Sequence, residues 1–478
     1  MKARALTAAC VLTVGCATAP PIEHPALEIE LPQEWTSEDP PEGQLSVTWW
    51  DDFEDGGLAS AVDVALSQNY DLRAAAARLE QAAADARAAE GDLQPTVQST
   101  FNGSRRKQNF VGFPIPGSEG RVLSTVSTNY GVSLDVSWEI DLWGRLRNTA
   151  RAALADLQAS AADLRGAQLS IAGQTTKAWF AIAEAQQQVD LSSQTVQSFR
   201  SSAEQVQERF EAGIRPALDL RLALLNLSNA EAQLQQRRQQ FDVATRQLEL
   251  LLGQYADGVF NTPAELPEIT PVVPAGLPAD LVARRPDLVA AERELTAFLV
   301  RADVARTDLL PRFSLTGSTG TATDGLRSLI DGNFGVWSLV GNVVAPLWQG
   351  GRLRAQVDRA EARGAEAFAN YANAALTAYA EVETALSAEE FLAERERHLA
   401  ESTLQARAAE RLADERYRAG LETYITVLDS QRSAVNAEAD LIAARRTRLE
   451  NRVDLYLALG GGFEQLEAPV QLAGLEGQ

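Results

Sequence analysis

The sequence predicts a mixed α/β membrane protein, internally duplicated, in which very long helices are interrupted by a few strands long enough to cross a bilayer. The 478-residue chain matches itself at a fixed offset, holds two proline-free stretches of 67 residues, and carries thirteen residues of strict apolar–polar alternation from Tyr130 to Leu142. Length alone allows two or three ordinary domains. Composition narrows this: 45% of residues are hydrophobic, yet the chain is rich in Ala, Leu, Gln, Glu and Arg and has one Met, a bias toward long helices. Beyond the N-terminus there is no run of about 18 apolar residues, so no transmembrane helix is expected.

Residues 1–15 read as a signal peptide. Lys2 and Arg4 form a positive n-region, and Ala5 to Val14 a short apolar h-region. Leu12-Thr13-Val14-Gly15-Cys16 resembles a bacterial lipobox, with Thr13 where Leu is usual. There small residues admit the peptidase and the Cys16 thiol receives the lipid; Ala17 rather than Asp then resembles lipoproteins sent to the outer membrane. A plain signal peptide with an incidental cysteine reads the same residues. Cys10 would be discarded, leaving Cys16 alone, which excludes an intrachain disulfide and a cysteine metal cluster. Loss of Lys2 and Arg4 takes the formal net charge from −22 to −24. Such acidity argues against nucleic acid as a partner. It suits a broadly solvated surface, or the lining of a cation-favouring pore.

The repeat decides the organisation. Gly144-Arg145-Leu146-Arg147 returns as Gly351-Arg352-Leu353-Arg354 at an offset of 207, as does Arg209-Phe210-Glu211-Ala212-Gly213-Ile214 as Arg416-Tyr417-Arg418-Ala419-Gly420-Leu421. Upstream the offset is 216, pairing Asp71-Leu72 with Asp287-Leu288 and Asp92-Leu93-Gln94-Pro95 with Asp308-Leu309-Leu310-Pro311, so the first copy has the longer loop between Pro95 and Gly144. The expected layout is a signal peptide at 1–15, a lipid-anchored lead at 16–57, a first repeat at 58–256 (strands about 96–142), a linker at 257–278, a second repeat at 279–462 (strands about 312–347) and a tail at 463–478.

Each repeat opens on a helix. The first spans about Leu58 to Leu93 and contains Ala74-Ala75-Ala76-Ala77; its copy starts at Pro286, with Asp287 favourably placed for the dipole. Two strands follow. In the clearer one Tyr130, Val132, Leu134, Val136, Trp138, Ile140 and Leu142 alternate with Gly131, Ser133, Asp135, Ser137, Glu139 and Asp141, long enough to span a membrane when tilted. Its copy, Trp337-Leu339-Gly341-Val343-Ala345-Leu347, keeps the apolar face, while Asn342 and Val344 make the other face less polar. A soluble sandwich strand shows the same alternation. Four strands cannot close a barrel in lipid, because open edges leave backbone groups unsatisfied, so a membrane reading requires more than one copy.

Leu146 to Ala212 and Leu353 to Ala419 lack proline; each would make a helix of roughly 100 Å. Return helices start near Pro216 or Leu421 and end near Gly253 or Gly460, with Gly213 and Gly420 at the reversals, where the C′ position wants left-handed φ. Ala178, Ile182, Ala185, Val189, Ser192, Val196, Phe199, Ala203, Val206 and Phe210 alternate steps of four and three, and Leu220, Leu227, Leu234, Phe241 and Leu248 recur every seven: a coiled-coil hairpin. In the second copy Leu392, Leu399, Ala406 and Ala413 keep one register. Glu389, Glu396 and Glu410 occupy the other, which implies a different neighbour there, or water.

Leu277-Pro278-Ala279-Asp280-Leu281 with Arg284-Arg285-Pro286-Asp287-Leu288-Val289-Ala290-Ala291-Glu292, Phe313-Ser314-Leu315-Thr316-Gly317-Ser318 and Pro346-Leu347-Trp348-Gln349-Gly350-Gly351-Arg352-Leu353 resemble signatures of the TolC-like outer-membrane factors, in the efflux outer-membrane lipoprotein (NodT/OprM-like) subfamily. Trp49-Trp50-Asp51-Asp52-Phe53 and Asn69-Tyr70-Asp71-Leu72 fit as well. The resemblance implies a homotrimer: a twelve-stranded β-barrel, four strands per chain, continuous with a long α-helical coiled-coil barrel in the periplasm. It implies no catalysis and no cofactor beyond the lipid on Cys16. The implied partners are outer-membrane lipid, a periplasmic adaptor (membrane fusion protein) and an inner-membrane transporter of the resistance–nodulation–division class, with drugs, dyes, detergents or metal ions as cargo. By resemblance Ile425 and Asp429 ring the periplasmic aperture. Arg432 follows on the same helical face, placed to pair with a carboxylate. Tyr417 and Asp219 match a gating tyrosine and its acidic partner, and Gly213 and Gly420 mark the adaptor-docking tips. Thr426 stands where some members have a second aspartate, and Glu422 where they have a basic residue, which puts a double acidic ring in doubt. An ordinary surface ion pair, worth about 0–1 kcal/mol, reads each charged residue equally well.

Enzyme motifs are missing: His24 and His398 have no ligand or triad spacing, and no G-x-S-x-G, Walker loop or Cys/His metal cluster occurs. Arg105-Arg106-Lys107 falls in the longer first hairpin loop, solvated or touching lipopolysaccharide phosphates. The rival reading is a non-conducting periplasmic coiled-coil scaffold lipoprotein, which needs no outward apolar face on Val132, Leu134, Val136, Trp138 and Ile140. A constitutively open porin fails on the helices, since it needs no tunnel of roughly 100 Å.

Overall fold

A computed structural model describes residue 35 and residues 45–110, 122–259, 265–269, 273–274 and 281–462. The signal peptide, Cys16 with its lipobox, His24 and the tail at 463–478 lie outside the described residues. A 3-10 turn at Trp49–Phe53 leads into α1 (Gly56–Gln68), α2 (Tyr70–Gly91), β1 (Thr96–Phe110), β2 (Leu123–Ile140), α3 (Arg145–Glu211) and α4 (Ala217–Leu251). Then come α5 (Leu281–Arg284), α6 (Pro286–Thr307), β3 (Arg312–Thr323), β4 (Gly335–Val344), α7 (Arg352–Arg418) and α8 (Tyr424–Ala458). Helices α2 and α6 have 22 residues each, α3 and α7 have 67, and α4 and α8 have 35. No described helix is long and apolar enough to cross a membrane.

Three expectations are corrected. The first helix is not continuous from Leu58 to Leu93 but breaks at Asn69, whose ψ of 132° is extended. The Asn69 Oδ1 accepts from the backbone N–H of Asp71 (2.8 Å) and Leu72 (3.2 Å), capping α2, while its Nδ2 donates to the Leu251 carbonyl at 2.9 Å. A polar side chain that satisfies orphan N–H groups stabilises the start of a second helix at this break. Second, Arg105, Arg106 and Lys107 sit within β1, paired with Thr128, Ser127 and Val126, not in a loop. Third, β2 begins seven residues before Tyr130, and Leu142 and Leu347 fall outside their strands.

The chain forms two compact units, one of which holds Gln81–Leu157 and Arg293–Phe368. Its sheet is antiparallel throughout, in the order β1-β2-β3-β4. Directly paired residues share a face. The register therefore places Val97, Phe101, Tyr130, Val132, Leu134, Val136, Trp138, Ile140, Phe313, Leu315, Trp337, Leu339 and Val343 on one face. The opposite face carries Asp135, which accepts from the hydroxyls of Ser133 (2.8 Å) and Ser318 (2.6 Å). On β4 that face bears Val336, Val340 and Val344, the reduced polarity read from the sequence. Indole N–H groups secure the helical end of the sheet: Trp138 donates to the Leu93 carbonyl (3.1 Å) and Trp143 to that of Pro311 (2.7 Å).

The second unit comprises the described residues of Leu27–Glu80, Gln158–Glu292 and Ala369–Gln478. Its core gathers Trp49, Trp50, Phe53, Leu58, Phe180, Ile182, Leu248, Leu288, Val382 and Leu449. Trp49 stacks on Tyr456 at 5.0 Å, and Phe53 meets Phe180 edge-on at 5.1 Å. Arg285, from the signature segment, is buried and donates to Asp287 (2.8 Å), Glu381 (2.7 Å) and the Ala458 carbonyl (3.0 Å), tying α6, α7 and the end of α8 together. The two hairpins are sealed differently. Val196 and Phe199 of α3 pack on Ala230 and Leu234 of α4. Between α7 and α8, Glu389 accepts from Arg448 (3.0 Å) and Arg452 (3.2 Å), and Glu396 from Arg448 (3.0 Å) and Arg445 (3.2 Å). The acidic register of α7 thus meets arginines of α8.

Candidate functional site

Two places carry chemistry, the strand face of the first unit and the hairpin ends of the second. On the strands, Val97, Phe101, Leu134, Trp138, Trp337, Leu339 and Val343 are exposed large apolar side chains. They lie on one continuous face, and among the described residues β1 and β4 are the unpaired edges of the sheet. A contiguous exposed apolar surface of this size marks an interface or a lipid contact.

At the hairpin ends the chain turns at Gly213 (φ +73°) and Gly420 (φ +75°), the left-handed residues expected there. The reversals are near-copies: the N–H groups of Ile214 and Leu421 donate to the carbonyls of Arg209 (2.8 Å) and Arg416 (2.9 Å). Behind them Ala203, Val206, Ala223, Ala413, Tyr417, Tyr424, Val427 and Leu428 form a closed core that locks the two hairpins side by side. The buried stripe Tyr424, Val427, Leu428 and Gln431 fixes the rotation of α8. Ile425 (60% exposed), Asp429 and Arg432 therefore share the open side at i, i+4 and i+7, the arrangement the sequence implied.

The pairings differ from expectation. Among the described residues Arg432 meets no carboxylate; its Nη2 donates to Asn226 Oδ1 on α4 at 2.6 Å, and Asn226 in turn donates to the Leu222 carbonyl at 2.7 Å. Tyr417 does not hydrogen-bond Asp219: its hydroxyl is buried without a partner among the described residues. Its ring instead lies under two guanidiniums, Arg209 at 5.2 Å and Arg215 at 4.6 Å, cations held by the negative face of the ring. Asp219 acts on Tyr424. Burial first, then Tyr417 and the Asp219 carboxylate, push the Tyr424 hydroxyl up to about 12. Asp219 itself occupies the first turn of α4, where a carboxylate suits the helix dipole.

The two departures from the family pattern form a cap. Thr423 caps α8 through its hydroxyl, and Glu422 accepts from the Thr423 N–H (3.2 Å) and the Thr426 hydroxyl (3.1 Å). Those hydrogen bonds hold the Glu422 carboxyl below its usual range. Tyr424, Asn226, Arg209 and Arg215 were not singled out from the sequence. The offset of 207 had aligned Arg209 with Arg416, so the pair was visible, but only packing shows that Arg209 covers Tyr417.

A four-stranded sheet with an exposed apolar face marks a subunit that meets lipid or another chain through its strands. The family model for outer membrane efflux proteins matches residues 61–254 and 277–461. Outer membrane protein OprJ of Pseudomonas aeruginosa is 32% identical over 459 residues, 95% of this chain and 95% of that protein. The pyoverdine export outer membrane protein OpmQ of Pseudomonas putida is 31% identical over 461 residues, 96% of this chain and 97% of its own. The CmeC outer membrane channel of Campylobacter jejuni matches with a TM-score of 0.87 at 27% identity, over 94% of this chain and 96% of that one. The chain belongs to the outer membrane efflux protein family and is an outer-membrane channel component of an efflux pump.

Proposed function

We propose that three copies of this chain close a twelve-stranded β-barrel in the outer membrane, continuous with a periplasmic α-helical barrel, and that this trimer is the passive, non-catalytic exit duct of a tripartite pump. The supporting observation is the sheet, four strands with one apolar face and two unpaired edges. Edges cannot stay open in hydrocarbon, so β4 of one copy pairs with β1 of the next. The equal lengths of α2 and α6, α3 and α7, and α4 and α8 support a duplicated origin. Cys16 carries the covalent lipid and needs no other cofactor beside it. Ile425 and Asp429 ring the aperture, with Arg432, Tyr417 and Asp219 as positioning residues that hold α8 against the first hairpin. Gly213 and Gly420 mark the tips at which a periplasmic adaptor docks, linking the duct to an inner-membrane transporter of the resistance–nodulation–division class.

Single-channel conductance in a planar bilayer tests this reading. Wild type is expected to conduct in discrete steps, and Asp429→Ala in larger ones. Equal steps would move the aperture away from Asp429. Stable inserted oligomers that never conduct would favour the scaffold. Docking has its own test: both glycines meet open space on the side where a Cβ would stand, but their positive φ disfavours any side chain. Gly420→Trp is expected to leave conductance intact and abolish efflux from cells; full efflux would remove that tip from the docking surface.

A further inference from the structure

The basic run on β1 gains its meaning from the register. Arg105 pairs with Thr128 and Lys107 with Val126, so both project from the same face as Phe101, Tyr130 and Leu134; Arg106, opposite Ser127, projects from the other. Among the described strand residues Arg105 and Lys107 are the only charged side chains on the apolar face, while Arg106, Asp135, Glu139 and Arg312 share the opposite one. All three cations are exposed, and none forms an ion pair with a described carboxylate. In a chain of net charge −22 this isolated positive step stands apart.

Its height is set by the strand. From Ile140 to Tyr130 the apolar residues cover ten steps, about 34 Å along β2 and about 26 Å along the membrane normal at a tilt near 40°. That equals the thickness of an outer-membrane apolar band, with Trp138 at its helical margin and Tyr130 at the other, the places where aromatic girdles sit. Arg105 and Lys107 follow roughly 5 and 10 Å beyond Tyr130 and about 7 Å from each other. Two cations at this level, directly above apolar side chains, face lipid headgroups. A guanidinium matches phosphate oxygens in bidentate fashion, and the neighbouring ammonium adds a point charge.

We propose that Arg105 and Lys107 form a binding step for the phosphates of an outer-leaflet glycolipid of the lipid A type, whose acyl chains run down past Tyr130 and Phe101. This rests on the reading of the strands as membrane-spanning. Arg106, facing the lumen, takes no part.

The test is native mass spectrometry of the detergent-solubilised full-length oligomer titrated with diphosphorylated lipid A. Wild type is expected to retain the lipid, and Arg105→Gln with Lys107→Gln to bind it about 30-fold more weakly, about 1 kcal/mol per cation near an anionic surface. Arg106→Gln and the charge-keeping pair Arg105→Lys with Lys107→Arg are expected to bind like wild type. Equal binding by the double Gln variant, or equal loss in Arg106→Gln, overturns the proposal. Displacement by inorganic phosphate also overturns it, since the site would then be one for a free anion. Conductance in phosphatidylcholine bilayers separates the two layers of inference. A wild type that conducts but retains no lipid A refutes the binding step alone. One that fails to insert removes the membrane assignment, and the step with it.

Discussion

Leu134→Arg is expected to abolish assembly of inserted oligomers, with the protein recovered as degraded or periplasmic monomer. Leu134 lies mid-band on β2 between Val132 and Val136, 46% exposed, and pairs across the sheet with Ser99 and Thr319. Neither neighbour offers a carboxylate. A guanidinium there meets lipid on one side and small side chains on the other. At the midplane the cost is about 2–4 kcal/mol per copy, repeated in every copy of an oligomer. Shifting by one residue reverses the environment, because successive side chains alternate faces. Ser133→Arg projects beside Asp135 on the polar face and is expected to assemble, with altered ion selectivity. Oligomer bands on mild-detergent gels of outer-membrane fractions read both variants. Normal assembly of Leu134→Arg would place this face out of lipid and restore the scaffold.

Much of the fold was legible in the sequence, and the reasons are physical. The long helices fall within one residue of the expected bounds because glycine and proline punctuate them at both ends. The membrane strand showed itself through a period of two, which no helix imitates. Its true extent did not, since residues Leu123 to Asn129 carry Ser and Thr on both faces and resemble loop. The same blindness put Arg105 to Lys107 in a turn. Composition does not reveal that a polar strand continues; its partner does. The break at Asn69 was hidden for the opposite reason. Flanking alanines favour helix on both sides, Asn69 is a favoured N-cap residue, and the distant Leu251 carbonyl explains what the Asn69 amide does.

That Ile425, Asp429 and Arg432 share one open side of α8 was legible from helical spacing. What holds that side in place was not. Arg432 finds Asn226, 206 residues away, and Tyr417 finds Arg209 and Arg215 in the first hairpin. Such pairs depend on how two hairpins pack, and no periodicity within either helix encodes them. Tyr424 shows the same limit: as a lone aromatic beside the turn it resembles an ordinary core residue, until burial and Asp219 give its hydroxyl an unusual affinity for its proton.

Glu389→Leu is expected to loosen the α7–α8 hairpin while leaving α3–α4 intact, by about 2 kcal/mol. A fully buried pair broken on one side costs about 3–5 kcal/mol. Glu389 and Arg448 keep 23% and 24% of their side chains exposed, and partial solvation reduces the loss. Glu389 holds both Arg448 and Arg452, and one of its oxygens is buried without a partner among the described residues. That unmet oxygen lowers what the cluster contributes. Adding Arg448→Leu is expected to recover part of the loss, because an apolar contact replaces one costly pair, while the buried Arg452 still loses its Glu389 contact. Salt separates the two seams. In about 1 M NaCl the wild-type α7–α8 hairpin becomes more sensitive to trypsin, while the doubly substituted protein, which keeps the Glu396–Arg445 pair, responds less. Leu234→Ala in the apolar seam costs about 2–5 kcal/mol at either ionic strength. Trypsin sensitivity with the same salt response in both hairpins would mean that the charges on α7 and α8 decorate the seam without holding it. Since α8 carries Ile425 and Asp429, a seam that depends on charge leaves the proposed aperture residues on the hairpin that ionic strength can loosen.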